Sequence, residues 1–142
     1  ESLWWGKMTQ TTRDGLREAL LTWQEQGLGK RGLPDLIDSI EPLFGRQRAK
    51  RIAITEATRL FAEGNELAGR LDENVAGMEF ETAGDPKVCP VCLPNDHKIF
   101  PVDSGPRPAL HTNCRCARIP VSARYIREHP SKWQGGALPE AA

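Results

Sequence analysis

Two short motifs concentrate the residues able to hold a metal ion. They are Cys89-Pro-Val-Cys92 and, after residues 93–113, Cys114-Arg-Cys116, with His111 three positions before Cys114. Two residues between ligands let both side chains reach one ion, and thiolate and imidazole are the donors that zinc takes in tetrahedral sites. His111-Thr-Asn-Cys114 repeats the i, i+3 interval of the first pair. Four of Cys89, Cys92, His111, Cys114 and Cys116 are therefore expected to enclose Zn2+, as three thiolates with one imidazole or as four thiolates. His97 is a weaker further candidate. Four protein ligands close the coordination shell, so the expected role is structural and not catalytic. Two disulfides, in any of three connectivities, are the competing use of the four cysteines. A redox pair at Cys89 and Cys92 lacks the βαβ setting of thioredoxin-like motifs.

A second constellation lies on a long helical pattern over about 46–68, where Ala49, Ile52, Ala53, Ala57, Leu60, Gly64 and Leu67 recur at helical spacing. At about 100° per residue, Glu56 falls in the middle of that apolar stripe. A carboxylate there costs several kcal/mol unless it is paired or neutralised. Arg115, fixed between two cysteines, is one candidate partner and Arg59 a local one, so Glu56 and Arg115 are expected as a structural buried charge pair. Arg46, Arg48, Lys50 and Arg51 crowd the start of the same helix. That end is the positive pole of the helix dipole, so the four cations read first as a solvated helix face, with DNA or an acidic partner as the alternative anionic neighbour.

These residues need elements to position them. The pattern predicts a helix over 12–26 with Leu16, Ala19, Leu20 and Trp23 on one stripe, a capping-box variant at Thr11 to Asp14 and a stop at Gly27. A second helix opens at Pro34, turns Leu36, Ile37 and Ile40 inward and breaks at Pro42. Residues 77–83, 98–102 and 117–121 read as three short strands, with Pro101 and Pro120 pushing the last two towards edges. The fold class expected is α+β, a helical N-terminal half (about 9–70) packed on a small zinc-stapled β lobe (about 75–122) in a single domain over 1–142. A flexible tail follows over about 128–142. Trp4, Trp5 and Trp133 lie outside the clear elements.

The 142 residues carry 19 basic and 19 acidic side chains, and that balance argues against a dedicated nucleic-acid module. The five arginines between Arg107 and Arg127, with no acid among them, keep a zinc-bearing DNA-binding module as the alternative. No apolar run approaches the ~20 residues of a membrane span, so no membrane partner is expected. The chain opens on Glu1 and not on Met, which suggests a piece of a longer protein.

The order of Arg51-Ile52-Ala53-Ile54-Thr55-Glu56, Asn65, Asp85 before Cys89-Pro-Val-Cys92, Lys98-Ile99-Phe100-Pro101, then Pro108 to Cys116 and Pro120-Val121 resembles the phage head morphogenesis family, the Mu F-like minor head proteins of tailed bacteriophages and prophages. The resemblance covers roughly Leu16 to Val121, and its most specific part is Cys-x-x-Cys combined with His-x-x-Cys-Arg-Cys. Ile54 stands where many members have arginine, and Leu110 where many have proline. The resemblance implies a minor capsid component, with portal or capsid proteins as partners, acting at the portal vertex in head assembly, DNA packaging or ejection. It implies no enzymatic activity, and a location in the virion after assembly in the bacterial cytoplasm. DNA is a further candidate partner, and a metal-dependent hydrolase or toxin domain the remaining alternative.

Overall fold

Thr9 starts the first helix: its side-chain oxygen accepts the Thr12 N–H at 3.3 Å, which places the cap ahead of Thr11 and begins α1 (Gln10–Glu25) two residues earlier than the sequence pattern does. The computed structural model describes residues 9–27 and 32–140, so Trp4, Trp5 and most of the first expected loop lie outside the described residues. Gly27, at φ 63°, takes the left-handed conformation that ends α1. The next helix, α2 (Leu33–Phe44), runs through Pro42 and stops only at Gly45. Proline removes one amide bond, that to the Asp38 carbonyl, and this near the helix end the loss does not break the helix. α3 spans Arg46–Leu71.

The described residues fall into two compact units, 1–57 with 111–113 and 58–110 with 114–142. The boundary thus falls inside α3, and not near residue 70 where composition changes. In the first unit α1 packs on α2, and its buried apolar side chains are Leu16, Leu20 and Trp23 from α1, Leu36, Ile37 and Ile40 from α2, and Ala49, Ile52, Ala53 and Ala57 from α3. Thr55 donates to the Arg51 carbonyl at 2.7 Å and accepts the Asn113 N–H at 2.9 Å, which ties residues 111–113 to the helix.

The second unit is built on a three-stranded antiparallel sheet, β1 (Val75–Glu81), β2 (Ile99–Phe100) and β3 (Ala117–Ser122), in the order β2-β1-β3. Both proline-bearing segments are edges, as their missing amide donors require. α3 crosses this unit closely at Gly69, where a Cβ would lie 3.2 Å from Met78 Sδ and 3.4 Å from a Val75 methyl carbon. The apolar stripe expected to continue through Leu60, Gly64 and Leu67 does not: Leu67 is 57% exposed, and the buried positions are Thr58, Ala62, Glu66 and Gly69. Helical spacing is kept, but the inward face carries polar groups whose hydrogen bonds are made inside the unit.

The tail expected to fray is ordered by the edge of the sheet. α4 (Ala123–Glu128) is capped by Ser122, a 3-10 turn spans Pro130–Lys132, and Trp133 bridges Ile99. Gln134 then donates its amide to the Ile99 carbonyl at 2.9 Å, so the tail covers a strand edge otherwise open to pairing. No described helix is long and apolar enough to cross a membrane.

Candidate metal centre

All four cysteines belong to the second unit, and they come together there. Cys89 starts a tight turn in which its carbonyl accepts the amides of Cys92 and Leu93, both at 3.1 Å. The turn aims its sulfur at the backbone amides of Val91 and Cys92 and brings it against the Cys92 thiol. The second pair lies immediately before β3. α3 holds that segment from both sides: Thr58 donates its hydroxyl to the Cys114 carbonyl, and Asn65 its amide to the Arg118 carbonyl at 2.8 Å. Cys92, Cys114 and Cys116 are buried with their sulfurs within 4.8 Å of one another, and Phe80 of β1 closes the cluster.

No disulfide joins them. The Cys92 and Cys114 sulfurs are 3.8 Å apart. A tetrahedron with ~2.3 Å zinc–sulfur bonds has an edge of about 3.8 Å, so this pair already stands at the spacing of a metal–thiolate site. Burial pushes the Cys116 thiol up to about 11, with the Cys114 charge adding to it, and drives the Cys92 thiol up the same way. Thiols crowded like this resist ionising until a cation shares the charge. Cys89 goes the other way: burial opposes it, but the amides of Cys92 and Val91 together outweigh that and hold its thiol below the ordinary value. Cys92, Cys114 and Cys116 could therefore share a metal ion, and Cys89 packs against them. His111 is counted with the first unit, where its Nδ1 lies 2.7 Å from the Thr112 carbonyl.

A family model described as Phage Mu protein F like protein matches residues 14–119, most of the chain. The chain belongs to this family. No curated protein and no solved structure matches it. The Phage Mu F-like match takes in every cysteine together with the α3 residues that position Cys114.

The charged residues singled out from sequence divide. Glu56 is 1% exposed on α3. Arg115 is not a buried charge: its side chain is 37% exposed and grips Asp85 with two bonds of 2.7 and 2.8 Å. Its neighbours Cys114 and Cys116 are the ones turned inward, which leaves the intervening side chain outward, and the Arg115 guanidinium holds the Asp85 carboxyl down to about 2. Arg59 pairs with Glu63 at 2.7 Å. Of the basic run, Arg46 is taken by Asp38 and Glu41 at 2.6 and 2.9 Å, and Arg48 lies 5.3 Å over the Phe44 ring. Lys50 and Arg51 are exposed. The anionic neighbour inferred for Arg46 is thus supplied by α2 itself.

Sequence reasoning passed over the most buried cation. Arg118 is 0% exposed in β3 while Ile119 beside it is 46% exposed, the reverse of what hydrophobicity suggests. Its Nη2 donates to the carbonyls of Pro101, Val102 and Ser104, at 3.2, 3.4 and 2.7 Å, and Nη1 is 3.8 Å from Glu66. Glu66 also accepts from Arg107 at 2.6 to 3.0 Å, and that guanidinium holds its carboxyl below the usual range. The network fixes the 101–107 loop between β2 and the second cysteine pair.

Proposed function

We propose that this chain is a minor head protein of a tailed phage or prophage, acting at the portal or procapsid in head assembly, DNA packaging or ejection. Its cysteines hold a structural zinc ion. The family match supports the phage role, and the converging thiols of Cys92, Cys114 and Cys116, with the first two sulfurs 3.8 Å apart, support the ion. Four thiolates satisfy tetrahedral zinc without a water position, so the proposed role is structural and not enzymatic. Cys89, Cys92, Cys114 and Cys116 are the set one unit holds by itself, and His111 is the substitute ligand from sequence spacing. The partners are portal or capsid proteins, and the mature location is the virion, reached from the host cytoplasm. A reducing cytoplasm does not sustain disulfides, so a metal is the available staple for so short-stranded a sheet.

Elemental mass spectrometry with a thiol count tests the ion: about one zinc per chain with four reactive thiols after denaturation is the expected result. No metal and paired cysteines overturn it. For Cys92→Ser we expect loss of the zinc and unfolding of the sheet-bearing unit, and a metal content equal to the parent's contradicts the assignment. The phage role is tested by deleting the gene from the inducible phage. Heads that fail to form or to fill, with the protein present in parental virions, are expected; normal DNA-filled particles without it refute the role. DNA as a direct partner predicts affinity falling steeply with salt, and absence of binding at low salt removes it.

A further inference from the structure

The opposite face of the sheet carries a second set of converging donors. β1 alternates, so Phe80 turns towards the cysteines while Glu79 and Glu81 share the other face. The His97 amide donates to the Phe80 carbonyl at 2.8 Å, and the Phe80 amide to the Lys98 carbonyl at 2.8 Å, which sets His97 across from Glu81. Nδ1 of His97 is 3.3 Å from Glu81 Oε1 and 3.6 Å from Glu79 Oε2. One atom from each residue lies within 4.8 Å of the others.

We propose that Glu79, Glu81 and His97 form a second cation site, for a first-row divalent ion that takes carboxylate and imidazole ligands. Three features carry it beyond a chance meeting of surface acids. Glu79 is 5% exposed, and a buried carboxylate needs a compensating charge. The cation at hand is Lys132, 3.5 Å from Glu79 and shared with the Tyr125 hydroxyl at 3.2 Å, against three carboxylates at Glu79, Glu81 and Asp96. With His97 neutral the group is left with excess negative charge. The imidazole is also aimed: Asp96 Oδ2 lies 3.5 Å from Nε2, and Asp96 is itself anchored by the Thr82 amide at 3.0 Å. The ring thus lies between carboxylates at both nitrogens, with Glu81 3.3 Å from Nδ1 and Asp96 3.5 Å from Nε2, an outer carboxylate of the kind that supports a metal-bound histidine. Lastly, the separations suit the ion, since tetrahedral donors with ~2.1 Å bonds stand about 3.4 Å apart. Three protein ligands leave positions for water, so this site exchanges its ion where the cysteine cluster encloses one.

Mn2+ is the probe, because it favours oxygen and imidazole over thiolate. The 142-residue chain, its cysteine cluster first saturated with zinc, is titrated with Mn2+ while the paramagnetic resonance of the free ion is followed. One saturable Mn2+ per chain is expected. Glu81→Gln and His97→Ala, both at the open rim, should weaken it at least ~10-fold, and Asp96→Asn by about 10- to 100-fold. Unchanged zinc content and circular dichroism show that these variants fold. No saturable binding by the parent overturns the proposal, and so does equal binding by all three variants, which would place the ion on diffuse surface charge or on the cysteines.

Discussion

Glu66 shows how much one side chain can hold that a sequence does not advertise. Arg118 is fully buried, its Nε and Nη1 make no hydrogen bond among the described residues, and desolvation lowers its pKa from the ordinary value. The Glu66 carboxylate is what balances that charge. Glu66→Gln keeps the shape and removes the charge, leaving a guanidinium in the interior without its counterion. We expect a loss of about 3 kcal/mol in chemical unfolding, in the range for breaking a buried pair. A change within ~0.5 kcal/mol would mean that the three loop carbonyls alone sustain Arg118. The cysteines were legible because metal spacing is a property of neighbours in the chain. The same holds for Glu56, whose helical angle follows from counting residues. Arg118 and Glu66 were not legible, since each is stabilised by groups tens of residues away, and periodicity sorts any charged residue to the outside.

At the scale of elements, local signals placed the three helices and three strands but not their limits or their facing. Pro42 was read as a break, yet α2 continues to Gly45 because only one amide bond is lost in a turn that Gly45 was about to end. The Gly45 amide still closes on the Glu41 carbonyl at 2.8 Å. Pro42→Ala should restore the bond to Asp38 and stabilise the protein, by up to ~3 kcal/mol if the ring strains α2. A lower melting temperature in the variant would show that proline's rigidity in the unfolded chain outweighs the missing bond. α3 was found from its apolar spacing, and beyond Ala57 that spacing pointed to the wrong face. Leu60 and Leu67 recur as a core stripe does, but the inward positions from Thr58 onward include Thr58, which bonds to the Cys114 carbonyl, and Glu66, which pairs with Arg107. The tail was read as frayed from its glycines. Its order comes from the free edge of β2, which no property of the tail's own composition reveals.

For the whole molecule, the metal decides whether stability falls at alkaline pH. In the metal-free protein the Cys116 thiol lies near 11 against an ordinary 9.0, and Cys92 is displaced the same way, both chiefly by burial. A thiol raised on folding contributes stability that is complete below its unfolded value and disappears as pH climbs through the folded one. The window is therefore about pH 9 to 11, with Cys89, shifted down, offsetting part of the effect. The rise at Cys116 from 9.0 to about 11 corresponds to about 3 kcal/mol. Zinc abolishes this, because its ligands are thiolates already and have no proton to lose in that window. On the acid side both forms weaken: Asp85, held near 2 by Arg115, and Glu66, lowered by Arg107, stabilise the fold above their ordinary values of 3.8 and 4.5 and cease to as pH falls towards 2. The zinc form loses its ion as well once the thiolates protonate. Melting curves of zinc-loaded and metal-free protein from pH 7 to 11 separate the two cases. The loaded protein should hold its melting temperature while the metal-free protein drops above pH 9. A parallel fall in both would show that the cysteines keep their protons with zinc present, and the metal-stapled sheet would have to be given up.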